Sequence, residues 1–264
     1  AACAGTPEPE AAATPRNETV WAVTDAAELV RFNAGQPHKL QQRVPLQGLQ
    51  PDDKLVGIDF RVSRGVLYAL SASGRLYTLD TKSGRLAPVG SAPPVVLQGE
   101  RFGVDFNPAA DRVRVVSDSG QNLRLHPDTG ALAATDPALN WAAPGRPAPR
   151  VAAAAYTYNK KDEKLTTNYA IDLGSGTLVM QGSLEGTQPA VSPNTGALTV
   201  VGPLGSGALD AAALDSADID EAALAALRSH GRTRLYVLDL ATGRGTPLGT
   251  VGEGRALWGL AIEP

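Results

Sequence analysis

At 264 residues, with 43% hydrophobic, 19% charged and only 5% aromatic side chains, plus 28 Gly and 20 Pro, the chain has a globular, turn-rich composition. A formal net charge of −3 supplies no basic field for phosphates, which sets nucleic acid aside as a partner. A single cysteine excludes an intrachain disulfide, and no apolar run approaches the ~18 residues of a membrane span.

The chain opens on Ala1-Ala2-Cys3-Ala4-Gly5, small residues around a cysteine that resemble the cleavage box of a bacterial lipoprotein signal, with Cys3 as the lipid attachment residue. Residues 1–18 are rich in Pro, Glu and Ala without apolar periodicity, and are expected to form a flexible tether. Together these features predict an exported domain, in the periplasm or at the outer-membrane or cell surface, that meets a membrane only through such an anchor.

From residue 19 onward the chain repeats itself. Tyr68–Asp80 lies over Trp21–Asn33 without a gap, duplicating two strands and their turn. The second strand and turn recur as Leu123–His126 with Gly130, Tyr169–Asp172 with Gly176, and Tyr236–Asp239 with Gly243. In these the polar residue four positions before the glycine is turn chemistry: a short side chain bonds the backbone ahead, and glycine accepts the left-handed conformation. A different strand precedes each pair: Gly57–Phe60, Gly103–Phe106, Ala153–Tyr156, Ala217-Asp218-Ile219 and Gly259–Ile262.

Five copies of a roughly 46-residue four-stranded unit predict an all-β, five-bladed β-propeller over residues 19–264. The ordered region begins on a second strand and ends on a first strand. Closure is therefore circularly offset, with the C-terminal strand completing the N-terminal blade. Outer strands are expected at residues 86–90, 132–134, 197–202 and 246–249, proline-tolerant as edges should be. Two segments break the rhythm. Ser175–Gly196 reads as an insertion of about twenty residues in the third blade, and Asp220–Arg228 as one short inserted helix with Asp220 at its N-cap and Gly231 as its stop.

The string Gly103-Val104-Asp105-Phe106-Asn107-Pro108, followed by Asp111–Ser117 and Gly120–Arg124, with the tandem Gly57–Phe60 and the ending Trp258–Ala261, resembles the bacterial family catalogued as domain of unknown function 4394. The resemblance runs from about Thr19 to Pro264 and implies export or surface anchoring. It brings no activity, substrate or cofactor. The alanine-rich stretch Ala222–Ala226 departs from the family pattern.

Aligning the inner strands puts Asp59, Asp105 and Asp218 at one equivalent position, with Ala155 and Ala261 in the other two copies. The first reading is that each aspartate accepts hydrogen bonds from the adjoining blade, as buried carboxylates must. Convergence in a central channel would instead raise a pKa or recruit a cation such as Ca²⁺. It would also permit the paired-carboxylate hydrolysis of five-bladed glycosidases. A second candidate lies in the second repeat, where Arg114 falls opposite Arg124, beside Asn122. Opposed like charges need an anion between them, either an internal Asp105 or Asp111 or a bound acidic ligand. The hairpin register used for this places Tyr68 opposite Tyr77 and Val115 opposite Leu123.

His38, His126 and His230 lack metal-ligand spacing. The expectation is a non-enzymatic recognition or scaffold propeller, with no predicted cofactor, that offers its end face and the 175–196 insertion to a protein or glycan. The alternative is a channel-centred hydrolase or cation site.

Overall fold

The computed structural model describes residue 10 and residues 14–264; the lipidation reading at Cys3 lies outside the described residues. Strands β1 (Thr19–Thr24), β2 (Glu28–Asn33) and β3 (Gln42–Pro45) come first and belong to the last blade, V. Blade I follows as β4 (Leu55–Arg61), β5 (Val66–Ser71), β6 (Leu76–Leu79) and β7 (Leu86–Pro88). Blade II is β8 (Phe102–Asn107), β9 (Arg112–Ser117), β10 (Asn122–Leu125) and β11 (Leu132–Thr135).

A short strand β12 (Asn140–Trp141) then joins the outer edge of blade III, whose own strands are β13 (Val151–Tyr156), β14 (Asn168–Asp172), β15 (Thr177–Gln181) and β16 (Ala197–Pro203). Blade IV is β17 (Ala211–Ser216), β18 (Ala223–Ser229), β19 (Arg232–Leu238) and β20 (Gly245–Thr250), and β21 (Leu257–Ile262) closes the ring. Arg16 is already fastened ahead of β1, exchanging hydrogen bonds with Asn33.

Closure has the predicted offset. β21 pairs antiparallel with β1, Trp21 opposite Ala261 and Ala22 opposite Leu260, so the innermost strand of blade V comes from the C-terminus. The five innermost strands β4, β8, β13, β17 and β21 each touch the next around the axis. Each junction between blades holds its own apolar core. Because a blade is covered on both faces, its inner strands lose the usual in-out alternation: every residue of β4 and of β13 is buried.

Three expectations need correction. Residues 223–229 are strand β18, and no helix is formed there. Ala and Leu favour a helix in isolation, but here both faces of the segment are buried between neighbouring strands and blades, and that tertiary burial decides. In blade III, Tyr169–Asp172 is the second strand rather than the third, since β15 follows it directly; the added chain is a loop between β15 and β16, together with a long first turn over residues 157–167. In blade I, Tyr68 faces Thr78 and Tyr77 faces Ala69, one residue away from the expected pairing.

Candidate functional site

Inner strands converge closely because the position two residues before each aspartate is small. A Cβ on Gly57 would fall 2.4 Å from Val104 Cγ2, and one on Gly103 only 2.5 Å from the Ala154 nitrogen. This close approach lets a short carboxylate on one inner strand reach the backbone of the next.

Asp59 Oδ2 accepts from the Phe106 N–H of blade II at 2.7 Å, and Asp105 Oδ2 from the Tyr156 N–H of blade III at 2.7 Å. The third carboxylate is Asp215, whose Oδ2 accepts from the Ile262 N–H of blade V at 2.6 Å. Asp218, predicted for this position, is half-buried in the turn after β17. The register of β17 with β18, Asp215 opposite Leu224, makes Leu214-Asp215-Ser216 the equivalent of Ile58-Asp59-Phe60. A bulky apolar residue just before the aspartate was the available clue, and Ala217-Asp218 lacks it.

Two blades carry alanine at this position, Ala155 and Ala261, and cannot serve the amide of the next inner strand. Those two amides are served from their own strand: Asp59 Oδ1 accepts from Phe60 N–H at 2.8 Å, and Asp215 Oδ1 from Ser216 N–H at 2.7 Å. Three carboxylates thus satisfy all five inner-strand amides of the ring. Of their six oxygens only Asp105 Oδ1 takes no amide. A side-chain hydrogen bond between the two carboxyls lowers Asp59 and raises Asp105, the direction expected when Asp105 is the donor.

Burial pushes Asp59 up to about 7, against the hydrogen bonds from Phe106, Asp105 and Phe60 that lower it. Burial, then the charge of Asp59 and that of Asp215, holds Asp105 well above the usual carboxylate range. Asp215 is raised chiefly by burial and next by Asp59. The phenol of Tyr158 stands beside the cluster, far above its ordinary pKa through burial first and the aspartates second. The three carboxylates each place an oxygen within 4.8 Å of the others, which is metal-like spacing. A calcium ion wants six to eight oxygens, and here five of the six carboxylate oxygens already accept backbone N–H groups.

The second candidate is an internal network. Arg114 does face Arg124, but the anion between them is Asp136, from the linker after β11, rather than Asp105 or Asp111. Arg124 grips Asp136 with Nε and Nη2 at 2.8 and 2.9 Å, while Arg114 Nη1 donates to the same carboxylate at 2.6 Å. Arg114, 1% exposed, also donates to Tyr156 Oη, Asn122 Oδ1 and Asn194 Oδ1. Asn122 accepts in addition from Gln181. The side chains of this network bridge blades II and III. Arg114→Ala is expected to cost about 3–5 kcal/mol in urea denaturation, because removing one partner of a buried pair leaves the other charged groups uncompensated. Arg114→Lys should recover little, since one ammonium cannot reach four acceptors at once.

Where the turns after β4 and β8 meet the loop after β13 lies a pocket of about 340 Å³, lined by Arg61, Phe106, Asn107, Asp111, Tyr158 and Glu163 among others. Asp111 adopts a left-handed φ of 50° at the position where blade I has Gly65, φ 64°. Arg61 holds it with a two-pronged grip through Nε and Nη2. A side chain in that conformation is strained, and the pairing with Arg61 offsets the strain.

Residues 28–261 match the family model described as Domain of unknown function (DUF4394). No curated protein matches the sequence. Among solved structures, a chain of a nidogen/laminin complex is similar at TM-score 0.51 and 11% identity, over 94% of this chain and 98% of that one. PorZ, a surface component of the type-IX secretion system of Porphyromonas gingivalis, matches at TM-score 0.42 and 16% identity, over 88% of this chain and 27% of that one. At 11% identity the nidogen/laminin likeness concerns the fold alone.

Proposed function

We propose that this chain, which belongs to the family described as Domain of unknown function (DUF4394), is a non-enzymatic recognition or scaffold propeller acting in the periplasm or at the cell surface. The observation that carries this reading is the state of the channel carboxylates: five of their six oxygens accept inner-strand amides. Carboxylates so engaged hold blades together and are poorly placed to protonate a leaving group or activate water. A protein or glycan then docks on the end face, where Asp111 and Tyr158 border the pocket described above.

The test pairs two variants. Asp105→Asn alters the channel and Asp111→Asn the end face. On a glycan array, binding is expected to survive the first and fall at least tenfold with the second, and aryl glycosides are expected to show no turnover with either protein. Turnover by the wild type that vanishes in Asp105→Asn would overturn the reading in favour of a channel hydrolase.

A further inference from the structure

Linkers between blades do more than connect. After leaving one blade, the chain runs along the outer edge of the next and hydrogen-bonds to it. At blade I, Gln47 N–H donates to Gly84 O at 2.9 Å and Gln47 O accepts from Leu86 N–H at 2.8 Å. At blade III the linker forms β12, parallel to β16, with Asn140 opposite Ala197 and Trp141 opposite Leu198. At blade IV, Gly245 N–H donates to Leu204 O. An outer strand is an open row of donors and acceptors, and the protein covers these edges with its own extended backbone.

Blade II is the exception. Gly130 and Leu132 occupy the positions of Gly84 and Leu86, yet among the described residues no linker backbone group bonds the Gly130 carbonyl or the Leu132 N–H. Asp136 N–H donates to Asn122 O and His126 N–H to Ala131 O, so strand alternation also turns the Thr135 N–H outward.

Three features keep the incoming linker off this edge. Pro93 and Pro94 have no N–H to donate. Val95 N–H is taken by Gly74 O of blade I. Gln121 spans the next residues, Nε2 donating to Val96 O and Oε1 accepting from Gln98 N–H, both at 2.9 Å. The result is a groove of about 760 Å³ between residues 92–98 and β11. Val96, 77% exposed, is on one wall and Leu132, 45% exposed, on the other. The one charged side chain lining it, Asp136, is neutralised by Arg114 and Arg124.

We infer that the outer edge of blade II takes an extended, uncharged segment of a partner protein as a fifth strand, in the way β12 completes blade III. Main-chain hydrogen bonds to the open edge supply the affinity, and the apolar walls select alternate side chains. The absence of an unpaired charge in the groove matches an uncharged occupant and disfavours an acidic or basic one.

Random nonapeptides displayed on phage and selected against the full chain test this. Enriched peptides are expected to be uncharged, with apolar residues at every second position. Their synthetic counterparts should bind at least tenfold more weakly to Thr135→Pro, which removes an outward donor, and to Val96→Asp, whose exposed site leaves folding intact. Methylating the backbone nitrogens of alternate peptide residues should abolish binding in one phase and spare it in the other. Absence of any enriched peptide, equal binding to wild type and Val96→Asp, or indifference to backbone methylation each overturns the inference. So does a concentration-dependent dimer lost in Val96→Asp, which would make the occupant a second copy.

Discussion

Deleting Leu257–Pro264 is expected to leave a chain with no cooperative thermal transition. The eight residues include the whole innermost strand of blade V, five of whose residues pair with β1. Leu260 and Ile262 are buried in the core between blades IV and V, Ala261 and Trp258 pack into the one between V and I, and the Ile262 N–H is the partner of Asp215 Oδ2.

Burial of each large apolar side chain is worth roughly 1.5–3 kcal/mol. Leu260 and Ile262 are fully buried and Leu257 and Trp258 half-buried, so their joint loss still approaches the ~5–15 kcal/mol that holds a typical domain folded. Deletion also exposes the inner edge of β1 and unsettles both adjoining junctions, so the damage is not confined to one blade. Circular dichroism with heating reads this directly: a sharp transition within a few degrees of that of the full chain would show that the ring does not depend on its last strand. Trimming only Glu263 and Pro264, both exposed and beyond β21, should change little and serves as the control.

The ring itself was legible because it is periodic. Strand, turn and strand recur in Trp21–Asn33 and Tyr68–Asp80, and the ending Gly259–Ile262 fits only as the missing first strand of blade V. What was lost lay where chemistry stops resembling the repeat. In blade IV, Ala211–Ala213 and Ala222–Ala226 give an alignment little to hold, so the repeat pattern points to Asp218 rather than to Asp215. The alanines and leucines of β18 carry no alternation because both faces are covered, and a continuous apolar run does not distinguish a buried strand from a helix.

At the blade II–III junction the opposed arginines were visible from register alone. Their partner Asp136 was not, since it stands in an irregular linker whose path depends on tertiary packing. Nor could Tyr158 be found: it lies in the loop after β13, a segment that other blades do not share. The open edge of blade II is likewise a property of how residues 91–98 run, and Pro93-Pro94 was its one trace in the sequence.

Stability is expected to fall as pH rises from about 4 to above 7, and Asp105→Asn is expected to flatten that dependence. In the unfolded chain an aspartate titrates near ~3.9. In the folded ring Asp59 is pushed up to about 7, and Asp105 and Asp215 are raised as well. A carboxyl raised by folding binds its proton more tightly in the native state, so its contribution is fully present below the unfolded pKa and is lost as pH climbs through the folded one. This is the reverse of a salt-bridged carboxylate.

Asparagine reproduces the protonated form of Asp105: its carbonyl accepts from Tyr156 N–H as Oδ2 does now, and its amide donates to Asp59 without a pH-dependent proton. Asp105→Asn should therefore raise Tm at pH 8 by about 3 °C or more, roughly 1 kcal/mol for a domain of this size, and leave Tm at pH 4 close to that of the wild type. Asp59→Ala should do the opposite at every pH. It strands the Phe60 and Phe106 amides together, at about 1–3 kcal/mol for each buried donor left without an acceptor. Calorimetric melts of the three proteins across pH 4–9 separate the possibilities. An Asp105→Asn variant that is less stable than wild type at pH 8, with the same slope against pH, would mean that the sixth oxygen holds no proton.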